Sequence, residues 1–90
     1  MEIQFIGGLR VSHKELSKLF NVKPSQLKKT IEQYHKHFED YGFLYESAGE
    51  YYLSYPQCEV AVLFTVSSNL EARSLFSKLN KEFANFKKSY

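Results

Sequence analysis

The clearest pattern in this chain is an apolar stripe at helical spacing in its first half. Five apolar residues recur at steps of four, three, four and three: Leu27, Ile31, Tyr34, Phe38 and Tyr41. This spacing keeps all five on one face of a helix with 3.6 residues per turn. Pro24 suits the first position of such a helix, where its missing amide would be unpaired anyway, and Gly42 ends it. The pattern therefore predicts one amphipathic helix over residues 24–41.

A shorter amphipathic segment precedes this helix. Its apolar stripe consists of Leu16, Leu19 and Phe20. Ser12 and Glu15 match the pattern of a capping box. In such a box the Ser hydroxyl accepts a hydrogen bond from the Glu backbone amide, and the Glu carboxylate accepts one from the Ser backbone amide. Asn21, at the end of the segment, tolerates the left-handed conformation of a helix cap. With only a short turn before the next helix, the spacing predicts a helix-turn-helix over residues 12–41.

Two other regions show strand patterns. Residues 2–6 alternate polar and apolar side chains before Gly7 and Gly8, which indicates a short strand followed by a turn. Residues 43–47 and 51–55 are rich in aromatic side chains and are joined by Ala48-Gly49-Glu50, which is typical of a β-hairpin. A hairpin that follows a helix-turn-helix is expected to be the wing of a winged helix.

The last third of the chain contains an apolar run and a final amphipathic helix. The run over residues 60–66 is compatible with a buried strand, which its β-branched residues favour, or with a buried helix, which Pro56 and Glu59 favour. Ser68 and Glu71 form a second possible capping box before a C-terminal helix. The apolar stripe of that helix consists of Leu75, Phe76, Leu79, Phe83 and Phe86. The elements predict one α+β domain over residues 1–90, a small winged helix-turn-helix with a C-terminal helix.

The composition is that of a globular protein and argues against several kinds of site. Cys58 is the only cysteine, so no internal disulfide can form, and the three His residues lack metal-ligand spacing. No apolar run approaches the roughly 20 residues of a membrane span, and no basic leader begins the chain. We therefore expect a soluble protein of the cytoplasm of a bacterial or archaeal host cell, with no membrane contact. We expect no enzymatic activity, catalytic residue, cofactor or metal ion.

The net charge of +2 is small, but the charges are segregated along the chain. Residues 1–38 contain seven basic and three acidic residues, and residues 60–90 contain five basic and two acidic residues. The segment between them has five acidic residues and no basic one. Two basic flanks favour an electrostatic surface for phosphates, although a solvated helix face can have the same composition.

The polar face of the second helix carries the candidate contacts with double-stranded DNA. In a helix-turn-helix the second helix lies in the major groove with its N-terminal residues at the base edges, and the first helix crosses the backbone. Gln can pair with adenine and Lys can donate to guanine. The candidates nearest the bases are Ser25, Gln26 and Lys29, with Gln33 on the same face, and the candidate phosphate ligands are Lys14, Lys18, Lys28 and Lys36. Glu32 on this face opposes contact with an anionic backbone.

The C-terminal aromatic residues extend past what one small core is expected to cover. Phe83, Phe86 and Tyr90 follow the rest of the apolar stripe of the last helix. An apolar surface left uncovered in a monomer is a candidate for self-association. These three residues are therefore the predicted interface of a homodimer.

Taken in order, these segments resemble the Rha family of phage regulatory proteins over nearly the whole chain. Val11-Ser12-His13-Lys14-Glu15-Leu16-Ser17-Lys18-Leu19-Phe20 is similar to the family's first helix, and Leu27-Lys28-Lys29-Thr30-Ile31-Glu32 to its second. The third block of the family is matched by Tyr51-Tyr52-Leu53-Ser54, the run over 60–66, Ala72-Arg73-Ser74-Leu75-Phe76 and Phe83-Ala84-Asn85-Phe86. The resemblance implies a DNA-binding transcription regulator from a phage or another mobile element, and it implies a helix over residues 56–66. The chain departs from the family at residues 22–25 and at Gln57-Cys58, so contacts made through those positions are not implied.

Residues 16–53 are also similar to a second family, the winged helix of the bacterial condensin-associated segregation protein. The similarity lies in the two helices and in a wing that turns at Ala-Gly. It implies contacts with proteins rather than with DNA. The alternative function is therefore a non-enzymatic protein-protein interaction module, either a winged-helix adaptor or a viral inhibitor of a host protein.

Overall fold

The computed structural model describes the backbone of residues 1–89 and the side chains of residues 1–86. These residues form five helices and one four-stranded antiparallel sheet, and the predicted α+β class with a C-terminal helix is confirmed. In chain order the elements are β1 (Ile3–Phe5), β2 (Leu9–Ser12), α1 (His13–Phe20), α2 (Pro24–Gln33), α3 (His35–Glu39), β3 (Tyr45–Ser47), β4 (Glu50–Leu53), α4 (Tyr55–Thr65) and α5 (Asn69–Ser89).

The strand order β1-β2-β4-β3 places the hairpin beside the helix-turn-helix. Strand β2 pairs with β4, so that Val11 lies opposite Leu53, and α1, α2 and α3 all lie between these strands in the sequence. Ala48 and Gly49 form the turn of the β3–β4 hairpin, both with positive φ, as a tight two-residue turn requires. The predicted hairpin is confirmed, and the arrangement is consistent with a winged-helix-like fold.

Strand β2 was not among the predicted elements. Gly7 and Gly8 have φ values of 62° and 128°, and the chain turns there so that residues 9–12 pair with β1. Two features hide this strand in the sequence. Its second residue, Arg10, is a charged residue with a buried side chain, and its last residue, Ser12, is also the N-cap of α1.

The first helix begins where its cap predicts, but the partners differ. Ser12 Oγ accepts the amide of Lys14 at 3.1 Å rather than that of Glu15. The Glu15 carboxylate accepts the amide of Glu2 at 3.1 Å and pairs with Lys18 at 2.9 Å. The reciprocal capping box predicted for this helix is therefore wrong, because strand β1 supplies an amide that the local pattern does not include.

The turn between α1 and α2 is the tight connection of a helix-turn-helix. Asn21 adopts the left-handed conformation, with φ 58° and ψ 44°. The amide of Val22 donates to the carbonyl of Ser17 at 3.0 Å, which is the six-to-one bond of a Schellman motif. Only residues 21–23 separate α1 from Pro24, so the predicted turn is confirmed.

The second predicted helix is divided at Tyr34, and the prediction of one continuous helix over residues 24–41 is wrong. Tyr34 has φ −109° and ψ 32°, between α2 and α3. Its ring stacks on Phe64 of α4 with the centroids 4.1 Å apart, and Phe38 after the break is fully buried. Packing against α4 thus fixes a change of direction that spacing along the sequence does not show. Tyr41, the last residue of the predicted stripe, is 58% exposed.

The run that local pattern left open is a helix, α4, as the resemblance to the Rha family implies. It lies in the centre of the fold and contacts α1, α2, α3, α5 and β4. Its apolar residues include both buried ones and the exposed Leu63 and Phe64, so the helix shows no amphipathic period, which explains the ambiguity. Among the described residues, no helix is long and apolar enough to cross a membrane.

Candidate nucleic-acid interface

The orientation of α2 is set by its buried side. Leu27 and Ile31 lie in the core with almost no exposed surface, so the opposite side of the helix faces solvent. Of the eight residues predicted to contact DNA, seven are exposed: Lys14, Lys18, Ser25, Gln26, Lys29, Gln33 and Lys36. Lys28 is half-buried at the edge of this face. Every predicted contact residue therefore has accessible surface, and Lys28 has the least.

Two of these residues lie on α1, one turn apart. Lys18 pairs with Glu15 at 2.9 Å, and its side chain is 78% exposed. An exposed pair of this kind is weak but lowers the net charge that Lys18 offers to an anion. Lys14 forms no ion pair within the part of the chain that the structure describes. Lys14 is therefore the more effective of the two as a phosphate ligand.

Lys28 links α2 to the turn of the hairpin. Its Nζ atom would lie 3.4 Å from a Cβ atom added at Gly49, so the ammonium group is beside the wing. His13, at the start of α1, lies within electrostatic range of Lys28 and Lys14. Burial lowers the pKa of His13, Glu50 raises it, and the two lysines lower it further. Lys14 and Lys28 thus belong to one group of charges between α1, α2 and the wing.

Acidic residues also lie close to this group: Glu50 acts on His13 beside Lys14 and Lys28, and Glu46 Oε2 accepts the amide of Gly49 at 2.8 Å. Burial raises the pKa of the Tyr51 phenol, and the charges of Glu32 on α2 and Glu46 on β3 raise it further. Both carboxylates therefore lie near this phenol, between the helix and the wing. A phosphate would be repelled from this region. The N-terminal half of α2, with Lys28 and Lys29, is the part suited to an anionic partner.

Gln33 and Lys36 lie apart from that group. They line a shallow depression with His35 and His37, after the N-terminal turns of α2. Lys36 belongs to α3, beyond the break at Tyr34, so it does not continue the exposed stripe of α2 on a single helix. His35 pairs with Glu39 on the same short helix. This end of the predicted surface is therefore mixed in charge.

The tyrosines of the wing, Tyr51 and Tyr52, pack against other rings of the protein, so its turn is the part left to contact a partner. Tyr51 packs on the edge of the His13 ring, and Tyr52 packs on the edge of Tyr45, with centroids 6.2 Å and 5.8 Å apart. The amide of Tyr51 also donates to His13 Nδ1 at 3.1 Å. These contacts hold the hairpin against α1. The exposed residues at the tip, Ser47, Ala48 and Gly49, are uncharged and small enough to approach a backbone closely.

Two of the three residues predicted to form the dimer interface, Phe83 and Phe86, are buried or half-buried in the monomer. Phe83 is only 5% exposed, and its ring meets the edge of Tyr55 with the centroids 5.3 Å apart. Phe83 therefore belongs to the core of the monomer, and its assignment to a subunit contact is wrong. Phe86 is half-buried against the core, and Tyr90 lies outside the described residues. The homodimer itself stays a prediction.

Comparison of the chain with protein-family models, with curated proteins and with solved structures finds no match. The resemblances to the Rha family and to the segregation protein therefore stay predictions. No group of three metal-binding side chains is found among the described residues. Cys58 is buried, and burial raises the pKa of its thiol well above the ordinary value.

Proposed function

We propose that this protein is a sequence-specific regulator of transcription that binds double-stranded DNA with α2 in the major groove. The observation that carries the proposal is the exposed N-terminal half of α2. Leu27 and Ile31 pack the opposite side of the helix into the core, so this side faces solvent, and basic residues of α1 and α2 border it. In a helix-turn-helix this part of the second helix meets the base edges.

The proposed DNA-contacting residues have two main roles, reading of bases and binding of phosphates. Ser25, Gln26 and Lys29 are exposed on the first turns of α2, where their side chains can reach the base edges and read sequence. Lys14 and Lys28 flank them and hold the protein on the phosphates, which fixes register without reading sequence. Lys18, Gln33 and Lys36 make weaker, peripheral contacts: Lys18 is paired with Glu15, Gln33 is at the C-terminal end of α2, and Lys36 lies beyond the break at Tyr34.

The distribution of acidic residues restricts the orientation of the duplex. The charges of Glu32 and Glu46 both raise the pKa of the Tyr51 phenol. A phosphate backbone therefore passes on the N-terminal side of α2, away from the wing tip, where the Glu46 carboxylate accepts the amide of Gly49 at 2.8 Å. A regulator of this kind acts on a palindromic operator as a homodimer, with half-sites about 34 Å apart. The resemblance to the Rha family supports an origin in a phage or another mobile element.

Salt-dependent binding to duplex DNA tests this proposal. Fluorescence anisotropy with a labelled duplex of mixed sequence is measured between low and physiological salt. We expect the logarithm of the association constant to fall linearly with the logarithm of salt concentration, with a slope of about −2 to −4 for two to four neutralised phosphates. Selection from randomised duplexes then gives the preferred sequence. Absence of duplex binding at the lowest salt would contradict the proposal.

A second candidate, the protein-protein interaction module, is supported by a different observation. Six large hydrophobic side chains are exposed on the described surface: Phe5, Tyr41, Phe43, Leu63, Phe64 and Leu70. Contiguous exposed apolar patches mark contacts between proteins, and Leu63 and Phe64 are neighbours on α4. The same titration separates the two functions, because an interaction module shows no binding to duplex that weakens steeply with salt.

A further inference from the structure

A cavity of about 460 Å³ opens between the β1–β2 turn, the start of α4 and the C-terminal half of α5. Its walls are mainly apolar, with Leu9, Pro56 and Phe83 among them. Four side chains with polar groups also line it: Arg10, Ser54, Tyr55 and Asn80. A concave, largely apolar site with a few polar groups has the general character of a small-molecule pocket.

Arg10 is the only charged residue among the described residues that line this cavity, and it is only 8% exposed. Its Nε donates to the carbonyl of Ile6 at 2.8 Å, and its Nη1 donates to the carbonyl of Tyr52 at 3.1 Å and to Gln57 Oε1 at 3.2 Å. All three acceptors are neutral, and no carboxylate pairs with Arg10 within the described chain. A guanidinium held this far from water without an opposite charge is costly.

The hydrogen bonds of Arg10 leave one side of the guanidinium open. A guanidinium has five N–H donors, and those of Nη2 have no acceptor among the described residues. The three hydrogen bonds that Arg10 makes hold the guanidinium in place, because their acceptors come from three parts of the fold. Ile6 follows β1, Tyr52 is in β4 and Gln57 is in α4. Because the Nη2 donors are already fixed in a concave site, binding of a carboxylate does not require any further loss of conformational entropy by the guanidinium.

The start of α4 adds a second positive feature at the same cavity. Ser54 is the N-cap of this 11-residue helix, and a helix N-terminus carries partial positive charge. A cation beside a helix N-terminus is itself unfavourable unless an anion lies between them. The Ser54 hydroxyl is buried and caps the helix, accepting from the backbone of Gln57. The guanidinium therefore lies beside the positive end of a helix without an anion between them.

We propose that this cavity binds a small organic carboxylate with an apolar body. The carboxylate accepts from Arg10 Nη2 beside the N-terminus of α4, and the apolar body packs on Leu9, Pro56 and Phe83. One guanidinium balances one negative charge, and the apolar walls would leave the further oxygens of a phosphate dianion without partners. A monoanion therefore fits this site better than a phosphate does.

The test is a titration followed by two-dimensional NMR on the full chain, with benzoate and hexanoate as probes and benzamide and hexanamide as neutral counterparts. We expect saturable shifts at Arg10 Nε–H and at the amides of Ser54 and Tyr55 for the two acids, with dissociation constants below about 10 mM. The amides are expected to bind at least about tenfold more weakly. No DNA is present, so the result does not depend on the proposed function.

A variant that fills the cavity gives the control. Substitution of Arg10 would also release Ile6, Tyr52 and Gln57, so Ala84→Trp is used, because Ala84 is an exposed residue that lines the cavity. Ser77→Trp is the matched control, on the same helix, exposed and outside the lining. Ala84→Trp should weaken benzoate binding at least about tenfold, and Ser77→Trp should not change it.

Four results would overturn the assignment. They are no saturable shift with either acid, equal binding of acids and amides, equal effects of the two Trp variants, and tighter binding of inorganic phosphate than of benzoate.

Discussion

Arg10 and Gln57 are joined in the interior by a hydrogen bond of 3.2 Å from Nη1 to Oε1. Gln57 is fully buried, and its Oε1 also accepts the amide of Ser54 at 3.0 Å. The two hydrogens of its Nε2 are shared among three carbonyls at 3.1–3.2 Å, those of Phe38, Gly42 and Phe43. These carbonyls lie at the end of α3 and before the hairpin. One side chain therefore connects β2 and α4 to the segment that leads from the helix-turn-helix into the wing.

Removing the Gln57 amide should destabilise the fold strongly. Gln57→Leu keeps a similar volume but leaves three carbonyls, one amide and part of the Arg10 guanidinium without their partner. Buried polar groups left unpaired cost about 1–3 kcal/mol each, partly relieved by rearrangement and water, and we expect a loss of about 2–4 kcal/mol. Urea unfolding followed by circular dichroism measures it. Gln33→Leu, at an exposed position, should change stability by less than about 0.5 kcal/mol. Equal losses in both variants would show that the network contributes no stability.

His13 should make stability depend on pH. Burial, with Lys28 and Lys14, holds the pKa of His13 below its ordinary value. The unfolded chain, with a pKa of about 6.5, then binds the proton more readily than the folded chain. The contribution of His13 to stability is therefore complete above pH 6.5 and is lost as the pH falls below it. Urea unfolding between about pH 5 and pH 7.5 measures this loss.

His13→Asn isolates the effect, because Asn can still accept the amide of Tyr51 but does not titrate in this range. The variant should lose less stability than the parent protein when the pH is lowered. His37→Asn is the control, since His37 is exposed and its loss should leave the pH dependence unchanged. A pH dependence that is the same with and without His13 would show that protonation of His13 does not destabilise the folded protein.

The turn between α1 and α2 should depend on Asn21. The left-handed conformation costs about 1–2 kcal/mol for an ordinary side chain and almost nothing for Gly. Asn21→Ala should therefore lower the free energy of unfolding by about 1 kcal/mol, and Asn21→Gly should leave it nearly unchanged or raise it slightly. Thermal unfolding of the two variants measures the difference. If Ala and Gly are equally tolerated, the turn does not need the left-handed conformation.

The elements that the sequence predicts well have local causes. The cap at Ser12, the left-handed Asn21, Pro24 and the Ala48-Gly49 turn each act within a few residues of their own position. The missed features depend on contacts between distant parts of the chain. Strand β2 pairs with the distant β4 as well as with β1, and the break at Tyr34 accompanies its stacking on Phe64. Spacing along one segment does not include such contacts.

The same distinction applies to the candidate sites. The exposed face of α2 follows from its own apolar stripe, so the sequence predicts Ser25, Gln26 and Lys29 correctly as surface residues. Arg10 has no local signal, because an isolated Arg in a strand is ordinarily exposed, and the local signal of Gln57, a capping box with Ser54, does not indicate its contacts with Arg10 and Phe38. Their bonds to Tyr52 and Phe38 span 42 and 19 residues of sequence. Only the packed fold brings these polar groups together.

The most direct test of the DNA-binding surface compares two double charge reversals. Lys14→Glu with Lys29→Glu changes the proposed interface, and Lys78→Glu with Lys81→Glu makes the same change in net charge at exposed positions of α5. Duplex affinity is measured by fluorescence anisotropy at fixed salt, with thermal unfolding of both variants alongside. We predict that the first variant loses about 100-fold in affinity with unchanged stability, and that the second stays within about threefold of the parent protein. Equal losses in the two variants, or no loss in the first, would contradict the placement of DNA on α2.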